Sequence, residues 1–114
     1  MQFPPGLGAT YSELKQYGNA VPALREALRL KPNDLRTLNA LGTAYMFSDQ
    51  HADALATFQQ AIRLKPDEAV FYYHLGMNYC FMGKKDDALG VQRKLQSMNQ
   101  KLGQALLDLI NKTQ

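Results

Sequence analysis

With 114 residues, nearly half of them apolar, the chain can bury the core of one domain or a short run of repeats. No apolar run approaches the roughly 18 to 20 residues that cross a bilayer, so membrane insertion is excluded as a function class. The net charge of +3 is scattered among acidic residues rather than gathered into a basic stripe interleaved with aromatics, which disfavours nucleic acid as a partner. The single cysteine, Cys80, excludes an internal disulfide and a multi-cysteine metal site, and fits a reducing, cytoplasmic setting.

The opening stretch Met1-Gln2-Phe3-Pro4-Pro5-Gly6 lacks a basic patch followed by an apolar core, so it does not read as a secretory signal. The repeat register described next is already running there. The sequence therefore reads as an edge of a longer repeat protein, with any upstream signal or anchor outside it.

Leu7-Gly8-Ala9-Thr10-Tyr11 returns thirty-four residues later as Leu41-Gly42-Thr43-Ala44-Tyr45, and again as Leu75-Gly76-Met77-Asn78-Tyr79. Alanine follows each leucine by thirteen residues, at Ala20, Ala54 and Ala88. Between the first two units the run Arg29-Leu30-Lys31-Pro32 repeats as Arg63-Leu64-Lys65-Pro66. Such a period marks stacked copies of one small unit that works as a surface.

Each unit reads as two helices. In the middle unit the first carries Leu38, Leu41 and Tyr45, and the second carries Ala54, Leu55, Phe58, Ala61 and Ile62, both at three- and four-residue spacing. Gly42 costs a helix about 1 kcal/mol against alanine. Its recurrence predicts that Gly42 and Ala54 let two backbones approach while Tyr45 and Phe58 fill the wider gaps. Pro32 and Pro66 stop the second helices, and Asp34 and Asp67 are placed to cap the next ones. Pro4 and Pro5 predict a shortened first helix beginning near Pro5. At the far end Leu95, Met98, Leu102, Leu106, Leu109 and Ile110 continue an apolar face, and Asn99 is placed to cap a last helix over about 100–112.

No catalytic constellation emerges. His74 and Cys80 lie six residues apart, about 600° of helical rotation, so their side chains diverge. Asp67-Glu68 and Asp86-Asp87 fall at helix starts, where carboxylates favour free amides and the dipole. Gly6-Leu7-Gly8 lacks the strand and later glycine of a dinucleotide site, and no metal-ligand spacing occurs. The chain is expected not to be an enzyme, and to need no cofactor or metal.

At these residues the chain resembles the tetratricopeptide repeat family, whose pattern is W-x2-L-G-x2-Y…A-x3-F…P. The middle unit matches from Leu41 to Pro66, with Leu38 at the tryptophan place; the first has Leu24 at the phenylalanine place. The third keeps Tyr72, Leu75, Gly76, Tyr79 and Ala88, then departs with Gln92 for phenylalanine, Leu95 for alanine and Gln100 for proline. The resemblance covers about residues 5–98. It implies an all-α, right-handed solenoid of three helical hairpins with a terminal capping helix. The expected organisation is a single domain over 1–114, with repeats at 1–34 (short first helix), 35–68 and 69–98, then a cap at 99–112.

The resemblance further implies a concave groove lined by the first helices. Its pattern falls on Arg36, Asn39, Ala40, Thr43, Met46 and Phe47, then on Val70, Tyr73, His74, Met77, Cys80 and Phe81, with Ala9, Ser12 and Glu13 from the short helix. Independently of the family, the last helical hairpin opens with two apolar stripes: Tyr72, Leu75 and Tyr79 on one side, Val70, Tyr73, Met77 and Phe81 on another. The second stripe either packs on the capping helix or a neighbouring unit, or receives a partner. A carboxylate clamp of the heat-shock co-chaperone type is not implied, since Pro5, Ala9, Ala40, Val70 and His74 replace all five of its residues.

The leading expectation is a protein-interaction scaffold that takes an amphipathic helix or apolar segment of a partner, anchored by Tyr73, Phe47 and Phe81, with Met46 and Met77 adding adaptability. The alternative is a self-assembling structural segment. In it the poorly covered Phe3, Leu7 and Tyr11 stack on another copy, as a homo-oligomer, or on upstream repeats.

Overall fold

A computed structural model describes residues 3–4 and 6–113. Among them are seven helices and no strand: α1 (Leu7–Glu13), α2 (Tyr17–Leu30), α3 (Leu35–Phe47), α4 (His51–Leu64), α5 (Ala69–Phe81), α6 (Lys85–Met98) and α7 (Gln100–Lys112). Two compact units divide the chain, Met1–Leu64 with α1 to α4 and Lys65–Gln114 with α5 to α7.

In the first unit α1 packs on α2, α2 on α3 and α3 on α4. Its core holds Ala20, Val21, Ala23 and Leu24 from α2, Leu38, Leu41, Ala44 and Tyr45 from α3, and Ala54, Phe58 and Ala61 from α4. Burial lifts the Tyr45 hydroxyl above its ordinary pKa of 10.0. The glycine of α3 works differently from the sequence expectation. A Cβ on Gly42 would stand 2.6 Å from Cε1 of Phe58, so the residue admits an aromatic ring rather than a second backbone. Gly8 admits the Leu24 side chain and, as the sequence expectation held, a close backbone as well, with the Leu24 nitrogen 3.2 Å from its would-be Cβ.

The helix α1 is short, as expected, with 7 residues, and starts at Leu7, just after Pro5, which itself lies outside the described residues. Gly6, at φ 79°, turns the chain into the helix, and the Leu7 N–H donates to the Pro4 carbonyl at 3.2 Å. A proline also stands inside α2, at Pro22, where it removes one helical donor.

All three first helices end alike. Lys15, Asp49 and Gly83, thirty-four residues apart, adopt left-handed φ values of 58°, 62° and 74°. The N–H groups of Gln16, Gln50 and Lys84 then donate to the carbonyls of Tyr11, Tyr45 and Tyr79 at 2.8, 2.8 and 2.9 Å. This is the Schellman closure, with the repeated tyrosine as the accepting residue.

The connections after the second helices differ from expectation in one place. Asp34 holds the cap position of α3, and its carboxylate accepts from the Thr37 hydroxyl at 2.6 Å. Before α5 that position belongs to Glu68; Asp67 sits in the turn and pairs with Lys65 at 3.6 Å.

In the second unit α5, α6 and α7 all pack on one another. Cys80, Ala88, Leu95, Leu106 and Ile110 form its core, with Tyr72, Tyr73, Tyr79, Leu89 and Leu102 against it. Asn99 caps α7, its side-chain oxygen accepting from the Leu102 N–H at 3.0 Å. The amphipathic face read from the sequence is the one α7 buries.

Candidate partner-binding surface

On α3, Arg36 is exposed, Asn39, Ala40 and Thr43 are half-buried, and Phe47 at the helix end is 46 % exposed. The Phe47 ring lies on Tyr17 of α2, with centroids 5.0 Å apart and planes 32° apart. Met46 is only 1 % exposed, so it belongs to the core and offers no adaptable surface in this conformation. Sequence reasoning passed over Tyr17 and the exposed Leu14. Both stand out against the internal repeat, because the second repeat has His51 and Ser48 in their places.

On α5, Val70, Tyr73, His74 and Met77 are half-buried, while Phe81 is 40 % exposed. The Tyr73 side chain rests partly on the core that α7 completes. Of the second stripe, Tyr73 is thus partly taken by a core that α5, α6 and α7 share, and Cys80, a groove position outside that stripe, is buried. The Tyr73 and His74 rings lie 6.0 Å apart at 53°. Burial lowers the His74 pKa below its ordinary 6.5, favouring the neutral imidazole. Burial also raises the Cys80 pKa above 9.0, with the Thr113 side chain opposing it.

From α1, Ala9 and Glu13 are exposed and Ser12 is half-buried. Phe3, Leu7 and Tyr11 are half-buried. Beside them a cleft of about 500 Å³ opens between α1 and α2, lined by Leu7, Ala23, Leu24 and Ala27, with Leu30 66 % exposed at its edge.

The chemistry on offer is apolar contact with polar edges. Among the described residues no group of His, Cys, Asp and Glu is placed to hold a metal ion. Asp86 and Asp87 occupy the first turn of α6, and the exposed Arg29 is tied to Glu26 at 2.6 Å. No helix among the described residues is long and apolar enough to cross a membrane.

A family model described as tetratricopeptide repeat matches residues 12–72, more than half of the chain. The chain belongs to the tetratricopeptide repeat family. Repeats of this family typically serve as interaction modules rather than enzymes, and their hairpins stack as helical solenoids. No curated protein matches. Among solved structures, YrrB, a tetratricopeptide protein with an unusual peptide-binding site, aligns at 23 % identity and a TM-score of 0.84, over 90 % of this chain and 54 % of that one. MamA AMB-1 aligns at 27 % identity and 0.77, over 82 % of this chain and 55 % of that one. The TPR2B domain of yeast Sti1, solved as a pHsp70 complex, aligns at 19 % identity and 0.81, over 93 % and 89 %. The chain thus spans about half the length of the YrrB and MamA AMB-1 chains, and the likeness to YrrB and Sti1 is one of fold.

Proposed function

We propose that the chain is a non-enzymatic scaffold that binds an apolar segment of a partner protein, an amphipathic helix or extended peptide. One observation carries the reading. Phe47 and Phe81 hold the same repeat position, thirty-four residues apart, and keep 46 % and 40 % of their surface exposed at the ends of α3 and α5. Exposed phenylalanines recurring in register supply large, rigid anchors of the kind that dominate binding energies. Within the first unit Arg36, Asn39 and Thr43 on α3 would supply polar and lesser contacts beside Phe47, and within the second Val70, His74 and Met77 on α5 would do so beside Phe81. Tyr73 contributes only the part of its ring that the core leaves open.

The subdivision into repeats at 1–34, 35–68 and 69–98 with a cap at 99–112 belongs to the same proposal. So does a cytoplasmic setting, for which the lone Cys80 speaks. The similar structures of YrrB, with its peptide-binding site, and of the Sti1 domain, solved as a pHsp70 complex, support the class of ligand.

The test compares affinity capture by the wild-type chain, Phe47→Ala and Phe81→Ala, with circular dichroism on each. A captured protein lost from both variants at unchanged helicity supports the reading. Equal retention by both would remove these positions from any binding role.

A second reading, association through the α1–α2 end with another copy or another repeat, is favoured by the apolar cleft and the exposed Leu30. Light scattering over a wide concentration range decides it, since a strict monomer argues against self-association.

A further inference from the structure

The third repeat departs from its predecessors at Gln92, which stands where the first two have Leu24 and Phe58. Leu24 and Phe58 fill the notches at Gly8 and Gly42. Gln92 does not fill the notch at Gly76. That space is taken by Leu106, which arrives from α7 and is fully buried.

Gln92 is itself buried, and its amide is turned the other way. Its Nε2 donates to the Gly103 carbonyl of α7 at 3.1 Å and to Oε1 of Gln96 at 3.3 Å. At Gly103 the α7 backbone lies directly on α6: a Cβ there would stand 2.6 Å from the Gln96 Cα and 2.9 Å from its nitrogen. Those are backbone atoms of a packed helix and cannot rotate aside.

The approach of α7 is also its own. One residue, Asn99, separates it from α6, whereas four residues, 31–34 and 65–68, precede α3 and α5. Counted from the cap residue, Gly103 is the fourth helical position of α7. The same position is Leu38 in α3 and Tyr72 in α5. In the position α7 takes, a large side chain at that place would press into the Gln96 backbone.

We infer that Gln92, Gln96 and Gly103 form a registration device that fixes α7 on α5 and α6 and closes that face to a helix of the repeat type, whether from a partner or a second copy. The buried amide supplies direction that leucine packing lacks, because sliding α7 by one turn would carry the Gly103 carbonyl away from the Gln92 amide proton it accepts, while the bond to Gln96 within α6 would stay. The glycine supplies the matching exclusion. This inference is independent of the proposed binding role of Phe47 and Phe81.

The test is hydrogen exchange on the full chain, residue by residue. Gln92→Met keeps the length of the side chain and removes both donors. We expect the amides of residues 100–112 to exchange about tenfold faster while those of α5 and α6 hold their protection. Gly103→Ala is expected to act on the same segment, and Gln104→Ala, exposed on the same helix, to leave it unchanged. The inference is overturned if α7 keeps wild-type protection in both Gln92→Met and Gly103→Ala. It is equally overturned if Gln92→Met, the milder change, lowers protection in α5, α6 and α7 together, since Gln92 would then be an ordinary core residue.

Discussion

The Phe58 ring lies so close over Gly42 that a methyl group on that glycine would overlap Cε1 and Cζ, at 2.6 and 2.7 Å. Phe58 has no room to retreat, being fully buried. Gly42→Ala should therefore destabilise the chain by roughly 1–2 kcal/mol, overpacking outweighing the helix propensity gained. Gly90 on α6 has nothing within 4 Å of its would-be Cβ. Gly90→Ala should stabilise by about 0.5–1 kcal/mol. Urea unfolding of the two variants would check the opposite signs.

The Schellman closures set up a second contrast. Lys15 adopts at φ 58° a conformation that Gly83 adopts freely at 74°. A side chain there costs roughly 1–2 kcal/mol, and glycine's extra unfolded-state freedom returns part of it. Lys15→Gly should stabilise by about 0.5–1 kcal/mol, and Gly83→Ala should destabilise by about 1 kcal/mol. Thermal melts of both suffice, and shifts of the same sign would refute the strain argument.

His74 makes stability depend on pH. Its folded pKa lies below the ordinary 6.5 because burial penalises the cation. The unfolded chain therefore binds the proton first on acidification. The contribution is fully present above the unfolded pKa and is lost as pH falls from there through the folded pKa. Melting temperatures at pH 7.5 and 5 should fall further for the wild type than for His74→Gln. Equal drops would show that His74 is not the titrating group.

Cys80 should be chemically quiet. Its thiol is buried, and burial holds its pKa above 9.0, so little thiolate is present at neutral pH. A disulfide reagent should label the native chain about a hundredfold or more slower than the urea-unfolded chain, at a rate set by opening of the α7 side. Labelling at the unfolded rate would contradict the burial.

Much of this was legible because repeated positions do repeated jobs. Leu41, Gly42, Tyr45 and Ala54 announced helical hairpins through spacing alone, and Asn99 announced the last helix. What spacing could not supply was the rotation of each side chain about its helix. Met46 follows Tyr45 by one residue, and both turn inward. Phe47, the next residue, turns out and finds Tyr17. Nor does spacing say what occupies a glycine's missing volume. Gly42 faces a ring rather than a backbone, and Gly76 faces a leucine thirty residues on. Gln92 read only as a departure from pattern, because its meaning depends on the Gly103 carbonyl, which no pattern displays. Asp67 failed as a cap because Glu68, one residue later, holds the extended backbone angles that a cap requires.

The closure at each tyrosine carbonyl spans only five residues, and the two helices it joins are sequence neighbours. Little chain entropy is spent in bringing such partners together, so a hairpin can begin anywhere along the molecule without waiting for distant strands to meet. Folding should accordingly be quick, on the order of microseconds to milliseconds. A nascent copy leaving the ribosome can start organising its first hairpin before its last has been made.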